Sequence, residues 1–449
     1  MNAVAHGPAC EPASRFVGVG AWREGLRYGA LALPLAFVAL PLYVLLPSLY
    51  AREYGVSLGA LGAMLLAARA VDALLDPWIG RACDRLFARS THAVLGVGGA
   101  AAAVLALGLW GLLLPPAAVR GTSEVLLLWA GTLLALSCVA YSVARVAPPA
   151  WGARLGGSEA QRSRVQAWRE GPALLGVLIA AVLPATAGLA ATVAVFAALL
   201  AAGWMLWARA VGPPPDQVRD GTSTATARPW QQPRFVRLMA VFVVNGIASA
   251  VPATLVLFFV QDRLQAPPAL EPAFLATYFL CAALSLPLWV RLVPRLGLAR
   301  CWALGMLLAV AVFVWTLTLG EGDVAAFLLV CALSGVALGT DLALPSALLT
   351  GLIGDLNERG RAEGAYLGWW NGAAKLNLAL AAGLALPLLG AFGYAPGARD
   401  PEALHALSLA YAALPCALKL MAAALLYALV IRPARAPGLS LERQPEVQP

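Results

Sequence analysis

Charged side chains are scarce in this chain of 449 residues. They make up 12% of it, whereas 61% of the residues are hydrophobic and the mean hydropathy is +0.78. Soluble domains are about 25% charged and about 45–50% apolar, so this composition excludes an ordinary soluble protein and predicts many membrane crossings. The net charge of +8 comes almost entirely from arginines in short loops, which indicates a membrane topology signal rather than nucleic-acid binding.

Histidine is rare, and cysteine follows no pattern. The three histidines, His6, His92 and His405, lie at a terminus or near predicted helix ends, and the seven cysteines show neither metal-ligand nor disulfide spacing. No Gly-x-Ser-x-Gly or His-Glu-x-x-His motif occurs. We therefore expect no enzyme activity, no cofactor and no resident metal. Residues 1–25 lack an apolar core followed by a cleavage site, so no signal peptide is expected.

Long apolar runs predict an all-α membrane protein with twelve transmembrane helices in two six-helix bundles. The predicted helices span residues 27–50, 58–80, 92–114, 124–146, 165–186, 188–210, 235–261, 271–291, 299–319, 323–349, 364–389 and 404–431. The predicted division is an N-terminal tail (1–26), a first bundle (27–210), a polar linker (211–234), a second bundle (235–431) and a C-terminal tail (432–449).

Arginines concentrate in alternate loops. They follow predicted helices 2, 4, 6, 8 and 10, while the other loops are nearly bare of basic residues. By the positive-inside rule, these loops and both termini are expected to be cytoplasmic, in a multi-pass protein of the inner (plasma) membrane.

Two aspartates interrupt the second apolar run. Asp72 and Asp76 lie four residues apart in LGALGAMLLAARAVDALLDPWIG (58–80), so one helix face carries both carboxylates. A charged side chain at the bilayer centre costs about 2.5–3.5 kcal/mol on insertion scales, so the pair requires a reason. The spacing predicts a binding site for a cation or a proton.

Lysine is almost absent. The only two, Lys375 and Lys419, both fall inside apolar segments, which makes each a functional candidate. Lys375 is expected at the depth of Asp72, where it could compete with a cation for the carboxylates; a static buried ion pair is the alternative. Lys419 could instead reach the interface by its flexible stem.

The motif Asp72-x-x-x-Asp76-Pro77 resembles the glycoside–pentoside–hexuronide:cation symporter family, within the major facilitator superfamily. The segments YSVARVAPPAWGARLGGSEAQRSRVQAWREG (141–171) and DLNERGRAEGAYLGWWNGAAKLNLAL (355–380) also resemble that family, the latter including Lys375. The resemblance implies that Asp72, Asp76 and the helix-4 hydroxyl Ser142 hold the coupling cation.

The loop motif that follows helix 2 is shared across the superfamily. Gly80-x-x-x-Asp84-Arg85 matches it, and the resemblance implies that these residues gate the inward/outward equilibrium rather than bind substrate.

Departures from the family pattern concern the substrate and the ion. The positions of two acidic sugar ligands and a stacking tryptophan are Ala36, Arg145 and Pro149 here, which argues against galactosides. The amide expected just before the second aspartate is Leu75, which removes an oxygen ligand for Na⁺. Because two close carboxylates can share a proton, we favour H⁺ over Na⁺.

Arg145 could anchor an anionic substrate, because a guanidinium pairs bidentately with carboxylate or phosphate. The alternative is a salt bridge to Asp72 or Asp76. Other candidates for substrate binding are polar or aromatic residues within predicted spans, for which packing is the alternative: Tyr141, Asn245, Asp341, Trp369, Trp370 and Asn371, together with Lys375.

These features predict a cation-coupled (H⁺ or Na⁺) secondary symporter that works by alternating access and imports a sugar, glycoside or sugar acid. A lysolipid or amphiphile carrier and a proton-coupled exporter are alternatives on the same fold, and a non-transporting sensor is an alternative of another class. The expected partners are a small-molecule substrate and the lipid bilayer, without nucleic acid, for a monomeric protein.

Overall fold

A computed structural model of the chain describes residues 12–18, 20–213, 228–391, 393–394 and 397–433. All regular structure in these residues is helical, which confirms the predicted all-α class. Within this part of the chain, nine helices are long and apolar enough to cross a membrane, as expected of a multi-pass membrane protein. The layout of twelve helices in two bundles with cytoplasmic termini stays a prediction. Parts of both predicted tails and of the linker lie outside the described residues.

The predicted first helix, 27–50, is a series of short pieces rather than one helix. Helices α1 (Ala21–Gly29), α2 (Ala32–Phe37) and α3 (Leu46–Glu53) are joined through a π-helical turn at Pro41–Leu45. Proline has no backbone N–H and its ring clashes with the preceding turn, so Pro34, Pro41 and Pro47 each disturb the helical hydrogen-bond ladder. The predicted helix 27–50 is therefore helical in pieces, interrupted near its prolines.

The rest of the N-terminal half consists of long helices. These are α4 (Leu58–Arg89), α5 (Thr91–Leu113), α6 (Ser123–Arg154) and α7 (Glu159–Trp207). Serine or threonine side chains cap each of their N-termini, which satisfies backbone N–H groups that have no partner within the helix. Helix α7 is interrupted at Gly188, whose φ of 81° lies in a region that favours glycine. This position is the first residue of the predicted helix 188–210, so the break falls close to the predicted boundary.

The described residues of the C-terminal half contain seven further α-helices. These are α8 (Pro233–Phe258), α9 (Glu271–Leu296), α10 (Leu298–Phe313), α11 (Val324–Asp355), α12 (Glu363–Ala391), α13 (Pro401–Ser408) and α14 (Leu414–Leu426). A π-helical turn, Leu409–Ala413, joins α13 to α14. The helices α4 and α6 end, and α7, α10 and α12 begin, at the side where the arginine-containing loops lie. We call this side the arginine-rich end.

The two halves of the chain meet closely where α4 crosses α12. A Cβ atom added to Gly80 would lie 2.0 Å from the carbonyl oxygen of Gly364, and one on Gly368 would lie 2.6 Å from that of Asp76. Small residues four apart let helix backbones approach this closely in membranes. A second contact joins α7 to α10 at the arginine-rich end, where Glu159 Oε2 accepts a hydrogen bond from the backbone N–H of Leu298 (2.9 Å). The α4–α12 crossing positions the site described next.

Candidate functional site

Three helices bring four of the predicted residues together. Asp72 and Asp76 lie on α4, Ser142 on α6 and Lys375 on α12. Lys375 Nζ is 2.7 Å from Asp72 Oδ2 and 2.9 Å from Asp76 Oδ2, and it donates a hydrogen bond to Ser142 Oγ (2.9 Å). The Ser142 hydroxyl in turn donates to Asp72 Oδ1. We call these four residues the aspartate–lysine cluster.

The aspartate–lysine cluster is buried and carries unbalanced charge. Asp72, Asp76 and Ser142 are 2%, 1% and 1% exposed. With both carboxylates ionised and Lys375 protonated, the formal charge is −1, in a place where an uncompensated charge is costly. One added monovalent cation or proton would bring the cluster to neutrality. Three side chains could receive it, two carboxylates and one hydroxyl, and all of them offer the oxygen ligands that hard cations take.

Arg145 lies on α6 three residues beyond Ser142. Its Nη1 donates to Tyr141 Oη at 3.3 Å, and its guanidinium carbon is 5.8 Å from the centroid of the Tyr141 ring. Within the described part of the chain, no carboxylate lies within 4.0 Å of its guanidinium nitrogens. The structure therefore gives Asp72 and Asp76 a lysine partner instead of the arginine that the sequence left open. The remaining N–H groups of Arg145 are free of carboxylates.

The two tryptophans on α12 pack against other aromatic rings. Trp370 is 4% exposed and stacks on Phe242, with ring centroids 3.7 Å apart and planes at 20°. Trp369 meets Trp230 edge to face, with centroids 5.1 Å apart. Phe242 covers a ring face of Trp370 that a sugar would need, so packing is the better interpretation of Trp370.

Asn371 lies one turn before Lys375 on α12. Its Nδ2 atom is buried and has no hydrogen-bond partner among the described residues. A buried donor without a partner costs free energy, so a bound molecule that accepts a hydrogen bond from this amide would gain affinity.

Asn245 and Asp341 belong to a different set of contacts from the aspartate–lysine cluster. Asp341 Oδ2 is 2.6 Å from Lys419 Nζ, and Asp341 Oδ1 accepts from Asn245 Nδ2 (3.0 Å) and Trp302 Nε1 (2.8 Å). Lys419 also donates to Asn245 Oδ1 at 3.0 Å. Together with Ser249, which donates to Asp341 Oδ2 at 3.4 Å, these residues form what we call the Asp341 cluster. The rarity of lysine indicated Lys419, whereas no sequence signal indicated Trp302.

The superfamily loop motif lies near the end of α4 and contacts the start of α12. Asp84 accepts hydrogen bonds from the backbone N–H groups of Gly364 and Ala365, both at 2.8 Å. These donors form the N-terminus of α12, where the helix dipole favours a negative charge. Arg154 Nη2 lies 3.1 Å from Asp84 Oδ1 and 2.9 Å from Glu363 Oε2. This arrangement joins three helices, α4, α6 and α12, at the arginine-rich end.

Two residues of this arrangement are not marked by any motif in the sequence. Arg154 and Glu363 are 1% and 0% exposed, yet nothing in the local sequence marks them as partners of Asp84. Arg85, which the motif assigned to gating, is exposed and makes no hydrogen bond or ion pair with the described residues, so the guanidinium at Asp84 comes from Arg154. Burial raises the pKa of Asp84, which lies beyond the predicted span 58–80, to about 7, against the opposing effect of Arg154. As the pH falls towards that value, protonation weakens the pairing with Arg154.

Comparison with known proteins places the chain among membrane transporters. Residues 27–432 match the family described as MFS/sugar transport protein. No curated protein sequence matches the chain significantly.

Solved structures of similar fold include transporters of different kinds. A human organic anion transporter aligns with a TM-score of 0.66 and 17% identity, covering 90% of this chain and 99% of that one. A bacterial homologue of the iron transporter ferroportin, in an outward-facing state, aligns with a TM-score of 0.64 and 16% identity. The alignment covers 91% of this chain and 98% of that one. The E. coli fucose:proton symporter aligns with a TM-score of 0.59 and 15% identity. The alignment covers 90% of this chain and 98% of that one. At these identities the likeness establishes the fold alone.

Proposed function

The chain belongs to the family of MFS/sugar transport proteins, as its sequence indicated, and from this membership we propose that it is a cation-coupled secondary symporter. Such a protein binds a small molecule within the membrane and moves it without chemical change. In this proposal both termini are cytoplasmic, the membrane is the inner (plasma) membrane, and two six-helix bundles rock about a central site.

The formal charge of the aspartate–lysine cluster is the observation that carries the proposal. Two buried carboxylates and one ammonium leave a charge of −1, and a single cation or proton neutralises it. A neutral site can pass between the two orientations of a carrier at a lower desolvation cost than a charged one. Coupling follows, because only the loaded cluster reorients readily.

Lys375 is the internal competitor of the coupling ion. It contacts Asp72, Asp76 and Ser142, the same oxygens that a cation would use. An arriving proton or cation weakens these contacts and releases the ammonium group from the carboxylates. Because Lys375 comes from the opposite half of the chain, its release loosens the α4–α12 crossing. The contacts of Asp84 with Arg154 and with the start of α12 stabilise the same crossing. Ion binding and conformational change are thereby linked.

Protons are favoured over Na⁺ as the coupling ion. Leu75 provides no oxygen beside Asp76, so the cluster offers two carboxylates and one hydroxyl, and hard metal ions usually take six or more oxygen ligands. A proton needs only one carboxylate oxygen. The fucose:proton symporter is a structural neighbour with this kind of coupling, which supports the choice by analogy.

Transport by reconstituted protein tests this proposal directly. We expect proteoliposomes to accumulate a screened substrate, such as radiolabelled glucuronate or glucose, when an inward proton gradient is imposed. One pH unit supports about tenfold accumulation for one proton per substrate molecule. A protonophore should abolish the accumulation, and stimulation by a Na⁺ gradient alone would assign Na⁺ instead. Binding without any uptake would contradict symport and favour a sensor.

Arg145 is proposed to select anionic substrates such as uronides. Arg145→Ala should raise the KM for glucuronate by about tenfold or more and leave that for glucose within about twofold, because hydrogen bonds to charged groups contribute about 1.5–3 kcal/mol. Competitive uptake of both sugars measures this split. Arg209→Ala removes an exposed arginine at the end of α7 and serves as the matched control. Equal effects of Arg145→Ala on both sugars would refute the role as an anion anchor.

A further inference from the structure

A cavity of about 400 Å³ lies inside the C-terminal half of the protein. Its wall is formed by α8, α9, α10, α11 and the segment that carries Tyr411 and Lys419, and none of the four residues of the aspartate–lysine cluster lines it. Small-molecule sites in proteins are cavities of about 300–1,000 Å³ with mostly apolar walls and a few convergent polar groups. This cavity has that size, and the Asp341 cluster provides its polar end.

At the polar end of the cavity, the oxygens of Asp341 already accept all their hydrogen bonds, whereas Lys419 still has an N–H group to donate. Asp341 accepts hydrogen bonds from Asn245, Trp302, Ser249 and Lys419, so its two oxygens are fully used. Lys419 donates to Asp341 and Asn245 and therefore retains one N–H group, since an ammonium has three. The cluster is thus prepared to donate a hydrogen bond to a ligand in the cavity, rather than to accept one.

The remainder of the wall is aromatic. Phe274 meets Phe327 with ring centroids 5.0 Å apart, and Phe313 meets Tyr411 at 5.2 Å. Tyr411 lies in the π-helical turn Leu409–Ala413, a feature that occurs frequently at functional sites. These rings offer apolar contact and stacking but few polar groups.

Two of the hydroxyl groups on the wall already donate within their own helices. Thr254 Oγ1 donates to the carbonyl of Ala250, and Ser334 Oγ to that of Val330, each one turn back in its own helix. A sugar has several hydroxyl groups to satisfy, and each one that is buried here without a partner costs about 1–3 kcal/mol. An apolar body with a single acceptor group meets no such cost.

We propose that this cavity binds a small amphipathic carboxylate, with its apolar body between the aromatic rings and its carboxylate on Lys419. A carboxylate is the acceptor that pairs most strongly with an ammonium donor, and a proton shared between it and Asp341 keeps the site neutral although Lys419 is already paired. Binding requires no ion gradient, and only the assignment of this ligand as a transported substrate rests on the proposed symport.

The test measures equilibrium binding of radiolabelled 4-phenylbutyrate to the full-length protein in lipid nanodiscs, without a gradient. Its neutral amide, 4-phenylbutyramide, reports the contribution of the carboxylate. We expect the acid to bind about tenfold or more tightly than the amide, and Lys419→Met to remove this difference. Arg432→Met removes an exposed positive charge beyond α14 and should change neither affinity.

A second variant occupies the cavity and leaves the ion pair intact. Ala253→Phe places a ring at a wall position of α8 and should weaken binding of acid and amide alike by about tenfold or more, because the apolar body loses its space. Ala240→Phe adds the same ring at an exposed position of α8 outside the cavity and should leave both affinities unchanged.

The outcomes separate this proposal from the proposed transport function. Equal affinities of wild type for acid and amide, or binding unaffected by Ala253→Phe, would overturn the proposal. If Lys419→Met fails to fold because Asp341 is left unpaired, the double variant Asp341→Asn/Lys419→Met removes both charges and should show the same loss of preference for the acid. Binding that meets these expectations in a protein without gradient-driven uptake would refute symport and support the cavity site.

Discussion

Replacing Asp76 with asparagine is expected to abolish gradient-driven accumulation of substrate while downhill exchange remains measurable. The substitution keeps the shape of the side chain but removes one of two buried negative charges. Asp72 and Lys375 then form a neutral pair, so the cluster no longer needs a cation before it reorients. A membrane potential of 100 mV provides about 2.3 kcal/mol per charge, roughly a fifty-fold accumulation, and the variant should lose all of it.

Uptake into proteoliposomes, followed by counterflow exchange in the same preparation, measures both activities. Asp355→Asn is the matched control, because Asp355 is an exposed aspartate at the end of α11 and should leave accumulation intact. Unchanged uphill uptake by Asp76→Asn would eliminate this carboxylate as part of the coupling site.

Alanine at Gly80 is expected to open the arginine-rich end of the protein. The added Cβ would lie 2.0 Å from the carbonyl oxygen of Gly364, so α4 and α12 must separate. Separation lengthens the hydrogen bonds from the start of α12 to Asp84. Each 1.4 kcal/mol lost from the closed state raises the open population about tenfold.

Alkylation of Cys83 reports this opening. Cys83 lies on α4 between Gly80 and Asp84 and is 6% exposed. Its rate of modification by a maleimide, followed by mass spectrometry of the full-length protein, should rise about tenfold or more in Gly80→Ala. Gly62→Ala is the control, because a Cβ on Gly62 of the same helix meets nothing within 4 Å and alanine favours the helix by roughly 0.5–1 kcal/mol. Faster alkylation in both variants would mean that helix propensity, not the crossing, governs exposure.

Sequence reasoning located the residues whose chemistry conflicts with their surroundings. Asp72 and Asp76 interrupt an apolar run, and Lys375 is one of two lysines in the chain. Burying such charged groups in a membrane costs free energy, which other interactions must offset. Their spacing also placed both carboxylates on one helix face, as the structure has them. The role of these residues in coupling stays a prediction.

Residues whose partners come from distant helices could not be identified in this way. Arg154 and Glu363 each lie beside a loop where a charge is unremarkable, and only the packing of α6 against α4 and α12 buries them together. The indole of Trp302 likewise meets Asp341 through the packing of α10 against α11. For Trp370 the sequence left substrate binding and packing open, and its stacking partner Phe242 lies on another helix. Tertiary contacts decide these cases.

The ammonium group of Lys375 is tethered to its own chain, and this has a consequence for how ion affinity is set. A tethered group competes at an effective concentration fixed by the fold, not by the solution. Small shifts of α12 that move Lys375 nearer to or farther from Asp72 and Asp76 would therefore tune the apparent affinity for the coupling ion without altering any ligand.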